Sequence, residues 1–245
     1  MKDNFSKQSL SYKKFRPSYP QAIFEFIYQQ LESKTMAWDC GTGNGQFAVE
    51  LAKQFDKVIA TDLSTKQIEN ATPRSNIEYQ VLSAETAEFP QDSFDLITVA
   101  QAAHWFDFDK FYKVVNHCLK PEGLLALITY NLLEIDAETD QIVGYLYKDI
   151  LGKYWDPERK YVDSSYETIP FPFEEIETPK FTQTYHWQLE DLIGYLNTWS
   201  AVQHYINDKG TNPVDLISNE LVQSWQNGTE KEVTFPMFMR LGKKR

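Results

Sequence analysis

Met36-Ala37-Trp38-Asp39-Cys40-Gly41-Thr42-Gly43-Asn44-Gly45 is the stretch on which the reading of this chain turns. A short apolar run ends in an acid, three glycines alternate, and an amphipathic segment begins. Glycine has no Cβ, so the backbone there can turn sharply and approach a ligand closely. From Asn44 to Phe55, the residues Phe47, Ala48, Leu51, Ala52 and Phe55 recur on one helical face. A helix starting there would aim free amide donors and its positive dipole end at whatever occupies the loop. The pattern is strand, loop, helix, and it points to nucleotide binding.

Spacing separates the nucleotide classes. The dinucleotide fingerprint is G-x-G-x-x-G, whereas here the glycines fall at Gly41, Gly43 and Gly45, and the third fingerprint position is Gln46. A second strand, Val58 to Thr61, ends in Asp62. An acid at that strand tip suits a ribose diol, because one carboxylate can accept from both hydroxyls. The structural alternative is a tight turn, with Asp62 capping a helix that begins near Ser64.

The 245 residues suffice for one large α/β domain with an elaborated cap. An apolar share of 42% with 15% aromatics supports a substantial core. A formal charge of −11 argues against a general nucleic-acid or anionic-membrane binder. Cys40 and Cys118 give no disulfide framework, and with His104, His117, His186 and His204 they show no metal-ligand spacing. The polar start has no apolar leader segment and no run reaches membrane-span length, so a cytoplasmic protein is expected.

Outward from the glycine loop, strands and helices alternate. A helix over about Pro20 to Leu31 carries Ile23, Phe24, Ile27 and Leu31 on one face. Strand one is Met36 to Asp39, helix A is Asn44 to Phe55, helix B is about Ser64 to Ala71, and strand three is Ile77 to Val81. Strand four is Phe94 to Ala100. Helix D, Asp107 to Leu119, starts at the N-cap Asp107. Lys120-Pro121-Glu122-Gly123 reads as a turn before strand five, Leu124 to Tyr130. Near-continuous apolar strands in this order mean a parallel sheet covered on both faces. After Asn131 the alternation stops. A helix over Asp140 to Lys153 precedes an aromatic insertion, Tyr154 to Phe173. Then come a strand, Phe181 to Trp187, helices near Leu189 to Tyr205 and Pro213 to Trp225, and a last strand, Glu232 to Leu241. Pro236 places part of that strand at an edge or bulge. One domain is expected over 1–245, with a cofactor core at about 33–131, an arm at 1–32 and cap elements at about 132–228.

Asp39-x-Gly-x-Gly-x-Gly resembles the first motif of class I S-adenosylmethionine-dependent methyltransferases. Ser83 to Pro90 is similar to their second motif, Phe94-Asp95-Leu96-Ile97 with Gln101 to Asp107 to their fourth-strand motif, and Leu119 to Gly123 to their L-K-P-G-G turn. Tyr12, Arg16-Pro17, Tyr19-Pro20, His104-Trp105-Phe106 and Thr198-Trp199-Ser200-Ala201 resemble a small-molecule branch that includes trans-aconitate methyltransferases. The resemblance implies a Rossmann-like seven-stranded sheet, order 3-2-1-4-5-7-6, with strand seven antiparallel and helices on both faces. It implies S-adenosyl-L-methionine as cofactor, with Asp39 and the loop Gly41, Thr42, Gly43, Asn44 and Gly45 at its methionine end. Asp62 and Leu63 would meet the ribose, and Ala84 and Glu85 the adenine. Gln101 would lie near the sulfonium.

Among the remaining candidates, His104 is a general base or substrate hydrogen-bonder, or else a packing residue that orients the loop before Asp107. Arg16 offers a fork for a carboxylate, either the cofactor's or an acidic substrate's, or pins the arm. Tyr12 would join Arg16 at the methionine end, and Tyr19, Trp105 and Trp199 would wall the acceptor pocket. The expected reaction is methyl transfer to a small organic acceptor, with O- or carboxyl-methylation favoured. The place of an amino-methylating N/D-P-P-Y/F motif reads Ala100-Gln101-Ala102-Ala103, which disfavours DNA. The rivals are a nicotinamide-dependent oxidoreductase, opposed by the glycine spacing, and a cofactor-binding protein without catalysis.

Overall fold

The apolar run at Met36 forms strand β1 (Met36–Cys40), which pairs in parallel with β2 (Lys57–Asp62) on one side and β4 (Phe94–Ala100) on the other. These features come from a computed structural model that describes residues 15–225 and 228–245. β3 (Ile77–Val81) flanks β2 and β5 (Leu119–Tyr130) flanks β4, all parallel. β8 (Lys231–Lys243) runs antiparallel to β5, and both β6 (Glu174–Ile176) and β7 (Phe181–Trp187) run antiparallel to β8. β8 is therefore the one reversed strand among the described residues. The order is β3-β2-β1-β4-β5-β8-β6, with β7 also on β8. This is the expected Rossmann-like architecture with an eighth strand. At 13 residues, β8 is long enough to carry β7 against Lys231–Met237 and β6 against Leu241–Lys243, so two short strands share the far edge.

Side-chain alternation sorts the strands into two cores. Ala37, Val58, Ala60, Leu96, Leu124, Ala126 and Ile128 face the helices α1 (Gln21–Gln29) and α2 (Gln46–Leu51), with Ile23, Phe24, Ile27, Phe47 and Leu51 packed onto them. Trp38, Ile59, Ile97, Val99, Leu125 and Leu127 face the opposite way, onto Phe111, Val115 and Cys118 of α4 (Phe108–Cys118). Asp107 caps α4 by accepting from the Lys110 amide at 3.2 Å. The short helix α3 (Thr65–Glu69) is capped by Ser64.

One expectation is corrected. Lys120 to Gly123 is not a turn before the strand but an irregular start within β5, where the β4–β5 register shifts. Glu122 adopts φ 62° there, and Lys120 Nζ reaches Asp95 at 2.7 Å. Pro236 sits where β8 has β7 on one side and no strand on the other, the local edge that its sequence suggests. Its carbonyl accepts from the Asn131 amide, on the side where β5 has already ended, so its missing N–H removes no ladder bond.

The cap after Asn131 is broken more finely than its sequence suggests. α5 (Ala137–Tyr145) passes into a wide π-type turn at Leu146–Ile150, and the aromatic insertion contains α6 (Arg159–Asp163). α7 (Leu189–Asn197) and α8 (Ser200–Lys209) divide at Thr198-Trp199, and Pro213–Ile217 forms a 3-10 turn before α9 (Ser218–Trp225). No helix among the described residues is long and apolar enough to cross a membrane.

Candidate functional site

The chain connections reverse direction between β1 and β4, and ligands of open α/β sheets bind at the carboxyl ends of strands at such a point. A cleft with about 900 Å3 of empty volume, its open mouth included, lies there. Asp39, Gly41, Thr42, Gly43 and Asn44 form its floor with Asp62, Leu63, Ser64 and Gln67. Arg16, Tyr19, Gln101, Trp105 and Tyr130 enclose the other end.

The loop takes this shape through its glycines, all at positive φ: 69° at Gly41, 56° at Gly43 and 83° at Gly45. A Cβ on Gly41 would lie 2.5 Å from Ala102 Cβ, so the loops after β1 and β4 touch through that missing methyl. A Cβ on Gly43 would meet nothing within 4 Å, because Gly43 backs onto the open cleft. Asp62 accepts from the Gly43 amide at 2.9 Å and the Ser64 amide at 2.8 Å, which ties the two loops together. A carboxylate has about four lone-pair sites, so this structural role is compatible with a ligand role.

Asp39 is buried, and its oxygens accept from the Thr42 hydroxyl at 2.5 Å and the Thr98 hydroxyl at 2.8 Å. Burial pushes its pKa up to about 6 against those bonds, with the nearby Asp62 charge adding a smaller push. Asn44 is also buried, and its Nδ2 has no partner among the described residues, as is true of Gln67 Oε1. Two unsatisfied buried polar atoms on one cleft wall are costly without a ligand.

The described part of the arm is pinned to the body. Arg16 Nη1 donates to the Tyr130 hydroxyl at 2.9 Å and Nη2 to the Thr198 carbonyl at 3.0 Å. Tyr19 packs edge-on against Phe47, and the Ser18 amide donates to the Tyr185 hydroxyl. Tyr12 lies outside the described residues.

A profile described as "Methyltransferase domain" matches residues 38–127, the stretch that supplies most of this cleft's lining. A candidate methyltransferase of Dictyostelium discoideum is 38% identical over 250 residues, 99% of this chain and 95% of that protein. The chain belongs to the class I S-adenosylmethionine-dependent methyltransferases. The solved structure of a candidate type II methyltransferase from Anaeromyxobacter dehalogenans is similar at 37% identity and a TM-score of 0.86, covering 94% of this chain and 98% of that one. A candidate S-adenosylmethionine-dependent methyltransferase of Saccharomyces cerevisiae is 23% identical, over 89% of this chain and 88% of its own.

The cleft of this methyltransferase fits its cofactor, S-adenosyl-L-methionine, by its own donor set. The cleft offers a buried carboxylate at Asp39, a second at Asp62, an unpartnered amide donor at Asn44 and a glycine that opens onto the cavity. Of the residues read from sequence as cofactor-binding, Asp39, Gly41, Thr42, Gly43, Asn44, Asp62, Leu63, Gln101 and Arg16 line this cleft. Gly45 sits behind the loop, where a Cβ would overlap the Tyr79 hydroxyl. Ala84 and Glu85 do not line it. Glu85 accepts from the Ser83 hydroxyl and, at 3.3 Å, from the Asp107 amide. Sequence reasoning missed Gln67, whose only signal was a polar residue on the inward face of α3.

A second, inner cavity adjoins the first through Arg16, Gln101 and Trp105, which line both. His104, Trp155, Asp156, Arg159, Val162 and Ser200 complete it. His104 is buried, with Nδ1 2.8 Å from the Tyr166 hydroxyl and its ring against Trp105. Burial, with the Arg159 and Arg16 charges behind it, lowers its pKa to about 3, so the imidazole is neutral. That corrects the picture of a base titrating near neutrality. Tyr19, expected at the acceptor pocket, lines the first cleft instead. Trp199 lines neither cavity; it is buried among Tyr147, Trp155 and Tyr195. Arg159, the sole arginine between Asn131 and Lys231, has no local motif to mark it in the sequence.

Proposed function

We propose that this methyltransferase methylates a small organic acceptor held in the inner cavity, on oxygen or on a carboxyl group, as in the trans-aconitate branch that its sequence resembles. The observation that carries the reading is the inner cavity itself. Trp155, Asp156, Arg159, Val162 and Ser200 of the cap line one side of it, and it joins the cofactor cleft at Arg16, Gln101 and Trp105. A recess lined by aromatic and charged side chains beside the cofactor suits a small polar molecule.

The cofactor supplies an electrophilic methyl group on a sulfonium. Asp39, the Gly41–Gly45 loop, Asn44 and Asp62 would hold it, with Leu63 alongside. The chain's own task is to orient a nucleophile and exclude water, and orientation can contribute about 7–11 kcal/mol in favourable cases. Arg159 fits an orienting role. Its Nε is fixed by the Tyr147 hydroxyl at 2.8 Å and Asp163 at 3.2 Å, and its plane lies over Trp155 and Tyr147. Nη1 and Nη2 have no partner among the described residues, which leaves a fork suited to a carboxylate on the acceptor.

The test is transfer of an isotopically labelled methyl from the cofactor to a panel of hydroxy and carboxylic acids, read by mass spectrometry. Label on oxygen, weakened at least tenfold in Arg159→Met, is expected. Label only on amines, or none despite tight binding of S-adenosylhomocysteine, would overturn the reading. Calorimetry on Asp62→Ala should show cofactor binding weakened by about 1.5–3 kcal/mol, the scale of one charged hydrogen bond.

A further inference from the structure

The turn that follows α5 is not α in geometry, and the bond it rearranges leads to the inner cavity. Over Leu146–Ile150 the turn is of the wide π type, and the Leu151 amide donates to the Leu146 carbonyl at 3.0 Å. In an α-helix that amide would take the Tyr147 carbonyl, four residues back. The wider turn releases the Tyr147 carbonyl, which accepts instead from the Trp155 indole Nε1 at 3.0 Å. Turns of this kind are frequent at functional positions. The Tyr147 hydroxyl is engaged as well. It donates to Asp163 at 2.6 Å and accepts from Arg159 Nε at 2.8 Å. Burial above all raises the phenol pKa well beyond its usual value, so the hydrogen given to Asp163 stays on Tyr147.

One residue thus grips two others that line the inner cavity, Trp155 and Arg159. We propose that Tyr147 is a positioning residue that presets the Arg159 guanidinium and the Trp155 ring, so that the inner cavity selects an acceptor bearing a carboxylate over its neutral amide. Arg159 Nε has a single hydrogen, shared between the Tyr147 oxygen and Asp163 at 3.2 Å. The donors left to Arg159 are those of Nη1 and Nη2, which have no partner among the described residues and remain accessible. A carboxylate matches two parallel N–H donors. An amide of the same shape offers one oxygen and sets its own NH2 against the second donor.

The surroundings of Tyr147 suit this task. Its ring packs against Trp155 at 4.7 Å and edge-on against Trp199 at 5.6 Å, so a rigid body carries the oxygen. Arg159 Cζ lies 4.7 Å from the Trp155 centroid and 5.3 Å from that of Tyr147, which restrains the guanidinium before any ligand arrives. Asp163 alone would hold it loosely. Its side chain is 51% exposed and its contact with Nε is the longer one. Exposed ion pairs four residues apart on a helix contribute little. The Arg159 charge also reaches His104, where it adds to burial in lowering the imidazole pKa, and so acts on the cavity side.

That this selectivity serves methyl transfer rests on the proposed small-molecule reading, but the selectivity itself is measured without turnover. Calorimetry on the full chain saturated with S-adenosylhomocysteine takes acetate, malonate and benzoate as probes, each beside its neutral amide. At least one acid should bind about tenfold or more tighter than its amide. Absence of that preference in all three pairs would overturn the proposal. Tyr147→Phe keeps the ring and loses the hydroxyl. Its preference should fall to about threefold or less, with amide binding and S-adenosylhomocysteine affinity unchanged. An unchanged preference, or a loss shared equally by acid and amide, would reduce Tyr147 to packing and refute the positioning role. Methylation of amines alone would sink the reading of the acceptor and leave this selectivity standing; oxygen methylation without any preference for acids would do the reverse.

Discussion

Asp39 is buried with two hydroxyls as its side-chain partners, and its folded pKa of about 6 stands above the ordinary 3.8. A raised folded pKa means that the native state holds the proton more tightly than the unfolded chain does. Its stabilising share is therefore complete below pH 3.8 and is lost as the pH rises through 6. The two-unit difference corresponds to about 3 kcal/mol. Asp39→Asn should accordingly unfold at higher denaturant than the parent at pH 8 and not at pH 4, while binding S-adenosylhomocysteine less well. Equal stability gaps at both pH values would show that the carboxylate is not strained by burial. His104 runs the other way. Its folded pKa of about 3 lies below 6.5, so its share is present above pH 6.5 and fades as the pH falls toward 3. His104→Gln should flatten that acid-side loss in the same titration.

At the scale of elements, the glycine loop offers a paired comparison. Gly41 and Gly43 share a left-handed backbone, yet only Gly41 faces another element, at Ala102. Alanine at either position meets the left-handed penalty of about 1–2 kcal/mol. Gly41→Ala adds the overlap with Ala102 and should lower Tm more than Gly43→Ala. Gly43→Ala should instead show its main defect in cofactor affinity, because its methyl would project into the cleft. Equal Tm losses would mean that the two loops are not in contact. The same loop explains what was legible beforehand. Positive-φ glycines leave a sequence mark, as do the one-sided apolar spacing of α1 and α4 and the near-continuous apolar runs within β1, β4 and β5. Three-residue β6, with Glu174 and Glu175 exposed, has no alternation to read. Lys120-Pro121-Glu122-Gly123 carries turn residues because β5 starts irregularly there. The inner cavity was illegible because Trp155 and Arg159 are brought to His104 by the cap's packing, and no local period marks that meeting.

On the scale of the whole molecule, the question is whether cap and sheet behave as one cooperative body. The apolar core on one face of the sheet runs without interruption from Ile23 and Leu51, through Leu124, Ala126 and Ile128 of β5, to Leu192, Trp199 and Trp225 in the cap. Arg16 adds a polar joint at the same place. It links β5 through the Tyr130 hydroxyl to the chain after α7 through the Thr198 carbonyl, with its guanidinium over the Tyr195 ring. A formal charge of −11 favours keeping a cation at this junction, where both cavities meet. Arg16→Ala would remove two charge-assisted bonds from a half-buried site, a loss of about 2 kcal/mol after allowance for solvent exposure. For a chain of this size, a change of that order lowers Tm by roughly 4–8 °C. Calorimetry should still show one transition, displaced to lower temperature, because the shared apolar core couples cap to sheet. Two resolved transitions in Arg16→Ala would mean that the arginine alone made them one body. An unchanged Tm would reduce the arm to surface packing.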